Sequence, residues 1–468
     1  MTVNEITGIT GGSRNAFIGA FKEKYLPQWP DAQNDEQQLL ALLGKKVGGM
    51  LGGRRALTAV MYNWVQSAGM PLPEGRTAAS PSTVSIQQLE LMARRLQGRV
   101  RLTGHAHDAA KAGDQVSYVK PMAEQLRTMR KQWFKNKNRM LHNGSLDIFT
   151  TINAYVHGTG VCTTVGRNSR TSGADTRWAQ GVTQLRPGMS ISLVASSGGA
   201  AVPFGNSSVA MTNAALELRI RSVSPSSDGG TFIVEKVSDS TVGSSVDISA
   251  NDTPGLVIAW GGRSESLATG TDDADADSEL YGMNGLGNLV TDAGERINVY
   301  GQSRTTFPFL EGVVADEGGV LVPWDEDQIT LVLDLMAQGI YFNDEGVDCS
   351  VMDRAVRREF IRDVKGERRF DAVISKRGWG RLQFTADDQP IPMYVDTQCL
   401  PQLMHLLSKK SFGYFEETPP HNPDDGERFV DGQDAREMWV VESGNFGNKS
   451  PASNGKKEDI LSNMVALT

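Results

Sequence analysis

The stretch between Arg54 and Gly104 constrains this chain more than any other. A β-branched and aromatic run, Arg54-Arg55-Ala-Leu-Thr-Ala-Val-Met-Tyr-Asn-Trp-Val-Gln-Ser67, leads into a polar segment, 69–85, that carries three prolines, Pro71, Pro73 and Pro81. The chain then returns through an alternating run over 85–104. Strand, proline-rich tip and returning strand predict a long two-stranded finger. Such a ribbon is marginal by itself in water, so it needs another surface to lie on. Assembly is therefore the first functional expectation.

The flanks fit around this finger. Residues 1–53 read as an arm, with a short helix from about Asn34 whose apolar side is Leu39, Leu40, Leu42 and Leu43. Gly44 stops that helix, and the glycines at 48, 49, 52 and 53 predict a flexible joint. After the finger, Met122, Leu126, Met129, Trp133 and Met140 form one stripe of a helix over 115–141. That rod would be about 40 Å long. Pro121 suits its first turns and Gly144 its stop. Its other face holds Arg127, Arg130, Lys131, Lys135, Lys137 and Arg139.

From about 160 to 265 the sequence turns rich in Gly and Ser, with short alternating runs at 190–194, 216–223, 231–237 and 256–260. These predict a small β-barrel or sandwich inserted in an α+β chain. Mixed elements resume at 280–420. One helix starts near Asp325, with Asp325 and Gln328 resembling a capping box; Ser350 and Asp353 are candidate caps for a second. Pro390–Val395, Phe412–Phe415 and Met438–Val441 read as strands.

Composition narrows the function. Of 468 residues, 39% are apolar and 22% charged, which is a globular balance long enough for two or three domains. No run of eighteen apolar residues occurs, so no membrane-spanning helix is expected, and the N-terminus lacks a secretory pattern. Cys162, Cys349 and Cys399 are too few and too scattered for a disulfide framework or a zinc site. The net charge of −8 argues against a surface that coats nucleic acid all round. Within it, however, Arg94–Arg139 holds twelve Lys/Arg against Asp108, Asp114 and Glu124, a local +9. That segment is either a phosphate-facing stripe or a basic face paired with acidic neighbours.

Motifs for chemistry are weak. Asp273, Asp275 and Asp277 match the first positions of a calcium loop, but Ser278 and Asn284 stand where Gly and Glu are needed; a solvated acidic loop is the preferred reading. His105 and His107 give two imidazoles without a third ligand. Gly282-Met-Asn-Gly-Leu-Gly287 lacks the strand and helix context of a nucleotide loop, so its glycines are read as turn glycines. Neither a catalytic residue, a metal site nor a cofactor is expected.

The order of arm, finger, long helix, β insertion, α+β unit and last strand resembles the major capsid proteins of tailed bacteriophages, the Hong Kong 97-type fold. Val100-Arg-Leu-Thr-Gly-His-Ala-His-Asp-Ala-Ala-Lys111, Gly285-Leu-Gly-Asn-Leu-Val-Thr-Asp292 with Tyr300-Gly-Gln-Ser-Arg304, and Gln389-Pro-Ile-Pro-Met-Tyr-Val-Asp396 through Phe415 are similar to local segments of that family. The resemblance implies an N-terminal arm (1–53), an extended loop (54–110), a peripheral domain with its spine helix (111–160), an inserted β domain (161–265), an axial domain (266–420) and a C-terminal return to the peripheral domain (421–468). It implies a self-assembling icosahedral shell of hexamers and pentamers, built in the bacterial cytoplasm and located in the virion. The implied partners are a scaffolding protein, a portal, double-stranded DNA held without sequence preference, and a decoration or cement protein on the insertion.

Arg54, Arg55, Arg76, Arg94, Arg95, Arg99 and Arg101 would then make inter-subunit contacts, and the basic helix face would meet packaged DNA. No lysine lies between Lys46 and Lys111, so the lysine–asparagine crosslink of some family members is not expected. The short segment before the finger implies a separate scaffold. Two other readings stand beside this one: another virion component such as a tail or portal protein, and a calcium-binding carbohydrate-active enzyme with an inserted β domain.

Overall fold

The computed structural model describes residues 38–43, 46–49, 55–61, 86–103, 121–143, 148–156, 159–166, 180–197, 200–203, 218–226, 229–236, 254–259, 283–294, 298–324, 327–338, 346–364, 383–386, 389–421, 428–429 and 434–461. The arm before residue 38, the finger tip, the two histidines of 105–107 and the acidic loop 271–279 lie outside them.

A first sheet gathers strands from both ends of the chain. It holds β1 (Lys46–Gly49), β4 (Arg94–Thr103), β19 (Phe412–His421), β20 (Arg428–Phe429) and β21 (Ala435–Asn448). β21 is its centre, pairing antiparallel with β4 along one edge and with β19 and β20 along the other. The short helix α1 (Gln38–Leu43) forms where the leucine cluster predicts it. Gly48 and Gly49, the first half of the expected joint, lie in β1, which pairs in parallel with β19; Gly52 and Gly53 fall outside the described residues. A sheet edge binds a glycine-rich segment through backbone bonds that need no side chain.

The finger is a paired hairpin of β2 (Arg55–Met61) and β3 (Ile86–Met92), in register from Arg55↔Met92 to Met61↔Ile86. The return run is not one strand. It passes Ala93 and becomes β4, which leaves the hairpin and pairs with β21 from Arg94↔Gly444 to Thr103↔Ala435. Alternation along β4 sends Val100 into the core and leaves Arg95, Gln97, Arg99 and Arg101 exposed.

Helix α2 (Pro121–Asn143) lies across this sheet and begins with proline at its first position, where a missing N–H costs nothing. Its seat on β4 is Gly98. A Cβ there would stand 2.8 Å from Met129 Sδ and 2.9 Å from a Trp133 ring carbon, so helix and strand touch through the absent side chain.

The next strands close on themselves. β5 (Ile148–Val156), β6 (Val161–Thr164), β10 (Gly230–Lys236), β9 (Leu218–Pro225), β7 (Ser190–Ser197) and β11 (Pro254–Ala259) pair in that order, and β11 pairs back to β5. The result is a six-stranded barrel with β8 (Ala200–Pro203) added on β7. Its core is Phe149, Ile152, Cys162, Leu185, Ile191, Leu193, Leu218, Ile220, Phe232 and Val234. The barrel takes in β5, which lies before the boundary expected at 161, because closure needs a strand to bridge β6 and β11.

A third sheet orders β14 (Val313–Ala315), β22 (Gly455–Lys457), β18 (Met404–Leu407), β15 (Cys349–Met352), β17 (Gln389–Val395) and β16 (Gln383–Ala386). Its two faces bury different cores. Cys349, Val351 and Leu407 face the core shared with the first sheet, while Met352, Ile391, Met393, Met404 and Leu406 face helices α4 (Asp327–Gln338) and α5 (Arg354–Val364). Asp353 caps α5, accepting from the Ala355 N–H at 3.1 Å, whereas Ser350 belongs to β15. The Gln328 amide donates to the Pro323 carbonyl at 2.6 Å, and its expected capping partner Asp325 lies outside the described residues. β22 shows that the chain returns to the third sheet after completing the first, so its end serves both units.

The glycine motif joins these parts. Ahead of the small hairpin β12 (Asn298–Val299) and β13 (Gln302–Ser303), helix α3 (Leu286–Leu289) is pressed on the C-terminal end of α2. A Cβ on Gly285 would lie 2.3 Å from the Met140 carbonyl oxygen and 2.5 Å from that of Leu141. The Gly285 φ is −152°, so space and not conformation demands glycine. The Asn284 and Gly285 N–H groups donate to side-chain oxygens of Asn445 and Asn288, so these turn donors serve packing of the chain itself.

Gly285→Ala therefore forces two backbone segments apart and is expected to destabilise the unassembled chain by about 3 kcal/mol. Gly98→Ala meets a flexible methionine and one ring edge and should cost less, about 1–2 kcal/mol. Thermal unfolding of both variants measures the order; equal effects would remove the distinction between backbone and side-chain contact.

Candidate assembly surfaces

The finger is held at its root and open beyond it. Leu89 and Leu91 are buried with Tyr300, Tyr414 and Phe446, while Ile86, farther out on the same strand, is 61% exposed. The Asn445 amide donates to the Met92 carbonyl at 2.8 Å, and its oxygen accepts from the Asn284 N–H at 2.8 Å. Tyr300 donates to the Asn448 carbonyl at 2.9 Å. Among the described residues neither edge of the β2–β3 hairpin pairs with a third strand. The body thus orients a ribbon whose described outer end, at Ile86, is exposed.

Of the seven predicted contact arginines, four lie on β4 at the root of the finger. Arg95, Arg99 and Arg101 share its exposed face, and Arg94 is half-buried on the other. Arg99 ion-pairs with Glu437 and lies over the Trp439 ring, 5.4 Å from its centroid. Arg55 begins β2 opposite Met92, and Arg54 and Arg76 fall outside the described residues.

The basic helix face needs a correction. Arg127 is exposed and Lys131 and Lys135 are half-buried, but Lys137 and Arg139 are 5% and 3% exposed and cannot face DNA. Lys137 Nζ donates to Glu442 at 2.5 Å and sits 4.2 Å from the Tyr414 ring centroid. Arg139 stacks on Phe149 at 3.8 Å and bonds Asn136. The last turns of α2 run into the body, where long cationic stems fill space and distant partners hold the charges. No side chain is described for Arg130.

Two buried carboxylates that sequence reading missed organise this region. Glu442 accepts from Lys137, from Trp133 Nε1 at 2.8 Å and from the Tyr414 hydroxyl at 2.5 Å. Burial, followed by the nearby Glu442 charge and its hydrogen bond, pushes the Tyr414 phenol strongly up, so it stays a donor. Asp396 accepts from Asn138 at 2.8 Å, from the Gln398 N–H at 2.9 Å and from the Leu39 N–H at 3.4 Å, with His142 Nε2 at 3.2 Å. Burial opposes its charge, but the His142 charge and these hydrogen bonds outweigh that and hold its pKa at about 2. The one available signal was a carboxylate ending an apolar run, as in Met438-Trp-Val-Val-Glu442 and Met393-Tyr-Val-Asp396.

The Tyr300–Arg304 motif has a similar internal role. Arg304 is fully buried, and its guanidinium donates to the carbonyls of Leu310, at 3.1 Å, and Asn288. All three cysteines are buried thiols, and burial raises Cys349 to about 12. No group of three or more metal-ligating side chains occurs among the described residues.

No protein family and no curated protein matches this sequence. Solved structures do match. The capsid asymmetric unit of cyanophage A-1(L) aligns over 96% of this chain and 99% of its own, with a TM-score of 0.51 at 10% identity. The capsid of the empty GTA particle aligns over 96% and 99% at 7% identity and TM-score 0.43, and Gordonia phage Cozz over 98% and 96% at 9% and 0.41. The cyanophage match extends over nearly the full length of both chains, and the chain has the Hong Kong 97-type fold.

Both carboxylates yield measurable expectations. Glu442→Ala leaves Lys137 buried without its carboxylate and should cost about 3–5 kcal/mol, and adding Lys137→Met should recover part of that loss. Asp396 has a folded pKa near 2, below the ordinary 3.8, so its stabilisation is present above about pH 4 and vanishes as pH falls to 2. Asp396→Asn should therefore lose about 2 kcal/mol at neutral pH and match the parent chain near pH 2. Urea unfolding across that pH range reads the difference, and a constant gap would refute it.

Proposed function

We propose that this chain is the major capsid protein of a tailed bacteriophage, assembling in many copies into an icosahedral shell around double-stranded DNA. The observation that carries this reading is a full-length capsid fold whose hairpin is fixed at its root and unpaired along both edges among the described residues. A two-stranded ribbon gains burial only on a neighbouring surface, and copies related by rotation supply one to every member of a ring. The role is mechanical and depends on geometry: buried carboxylates and a glycine contact hold α2 against the sheets while the finger projects.

The partners follow from the same reading. Hexamers and pentamers of this chain make the shell, in the host cytoplasm first and in the virion afterwards. A scaffolding protein directs closure and a portal occupies one vertex. The barrel, with Val156 50% exposed, is the surface assigned to a decoration protein. Packaged DNA meets Arg127, Arg130, Lys131 and Lys135 on the N-terminal part of α2, a contact that weakens with salt. The exposed β4 arginines face a neighbouring subunit.

Electron microscopy and sedimentation of the expressed full chain, with its scaffold co-expressed, should show closed shells or rings; a monomer under every condition would overturn the proposal. The finger can be tested separately. Because Met61 and Ile86 are already paired, a two-residue Asn-Gly turn can replace 62–85 and close the same hairpin. That variant should fold with an unchanged melting temperature and lose stable shells. Shells of normal stability would remove the finger from the assembly mechanism.

A further inference from the structure

We infer that copies of this chain join around a ring by seating the arginine face of α5 from one subunit in the acidic groove beside α4 of the next. This inference rests on the shell reading above and names the contact that would make its rings.

The groove is lined by Val322, Pro323, Trp324, Asp327, Gln328, Leu331 and Asp334. Ile329, Val332 and Met336 turn the apolar side of α4 into the core. That leaves Asp327, Thr330, Leu331 and Asp334 on the outer side, at the spacing of one helix face. Leu331 is 41% exposed between the two carboxylates. Trp324 is buried in the groove floor, and its indole N–H has no hydrogen-bond partner among the described residues.

Helix α5 offers the opposite surface. Ala355, Val356 and Phe360 are buried, while Arg354, Arg358 and Arg362 are exposed at four-residue intervals. Arg362 pairs with Glu359 on its own helix. Arg354, Arg358 and Asp334 have no ion-pair partner among the described residues. Asp327 and Asp334 are about 10 Å apart along their axis and Arg354 and Arg358 about 6 Å, a difference that two long arginine stems can span. Arginine stems laid across the groove would cover Leu331 while their forks reach the carboxylates.

The two faces belong to neighbouring helices on one rigid unit. Trp324 and Phe360 meet edge to face at 5.4 Å, and both helices bury their apolar sides in the same core. Helix α4 lies over β14 and β22 at one side of the third sheet, and α5 links β15 to the β16–β17 side. Both charged faces point outward, so the basic face of one copy is complementary to the acidic face of another. A contact of two different patches is heterologous, and repeated by rotation it closes a ring.

Charge exchange in the full chain tests the pairing. Asp327→Arg/Asp334→Arg and Arg354→Glu/Arg358→Glu should each lower particle yield by roughly ten-fold, since like charges then face each other, and the four-fold combination should restore it. Asp327 begins α4, where reversal can disturb the helix, so a cysteine pair supplies an independent reading. Leu331→Cys with Arg358→Cys should give an oxidant-dependent ladder of linked subunits, against a background of three buried native thiols. Neither single variant should give a ladder beyond a dimer. Particles that form normally with both charge reversals, or no restoration together with no ladder, would sink the α4–α5 contact and leave the shell reading standing. Particles that form while a separate bound protein is lost would reassign the groove to that protein. A parent chain that never forms rings or shells would bring down both.

Discussion

The carboxylate of Glu442 sits where a charge is costly, and the architecture depends on how that cost is offset. Lys137, Trp133 and Tyr414 converge on it from a helix and a neighbouring strand, more than three hundred residues away in two of the three cases. A buried ion pair contributes little net stability compared with apolar packing, but it penalises every arrangement that separates its members. Here it sets how α2 lies on β21. Since β4 is paired to the same strand, the pair also sets the direction in which the finger leaves the body.

Asp396 does the same work one turn farther along α2. It collects the arm helix through the Leu39 N–H, the long helix through Asn138 and His142, and the third sheet through its own place after β17. Next to it, Gly285 lets α3 meet the helix end backbone to backbone. Three contacts of very different chemistry thus converge on residues 137–142. In the proposed shell such a joint would limit angular errors, which are multiplied around a ring.

The outer surfaces have the opposite character. The hairpin, the arginines of β4, the groove beside α4 and the arginine face of α5 are ordered by the body yet incompletely used by it. Charge and modest apolar exposure keep such faces soluble while leaving them complementary to one another. In the proposed assembly, weak and repeated contacts of this kind would allow correction, whereas the buried joint keeps each copy in one shape.

Local pattern determined a good deal. Period-two alternation marked the barrel strands at 190–194 and 231–237, the 3.6-residue stripe marked α2, and the proline-rich tip between two apolar runs marked the hairpin. These signals are written within a few residues of each other, so one chain suffices to read them. The split of the return strand at Ala93, the strand made from 46–49, the entry of β5 into the barrel and the burial of Lys137 and Arg139 depended on partners far along the chain. A strand's partner and a lysine's counter-charge are chosen by three-dimensional proximity, which local periodicity does not encode; only the folded arrangement decided them.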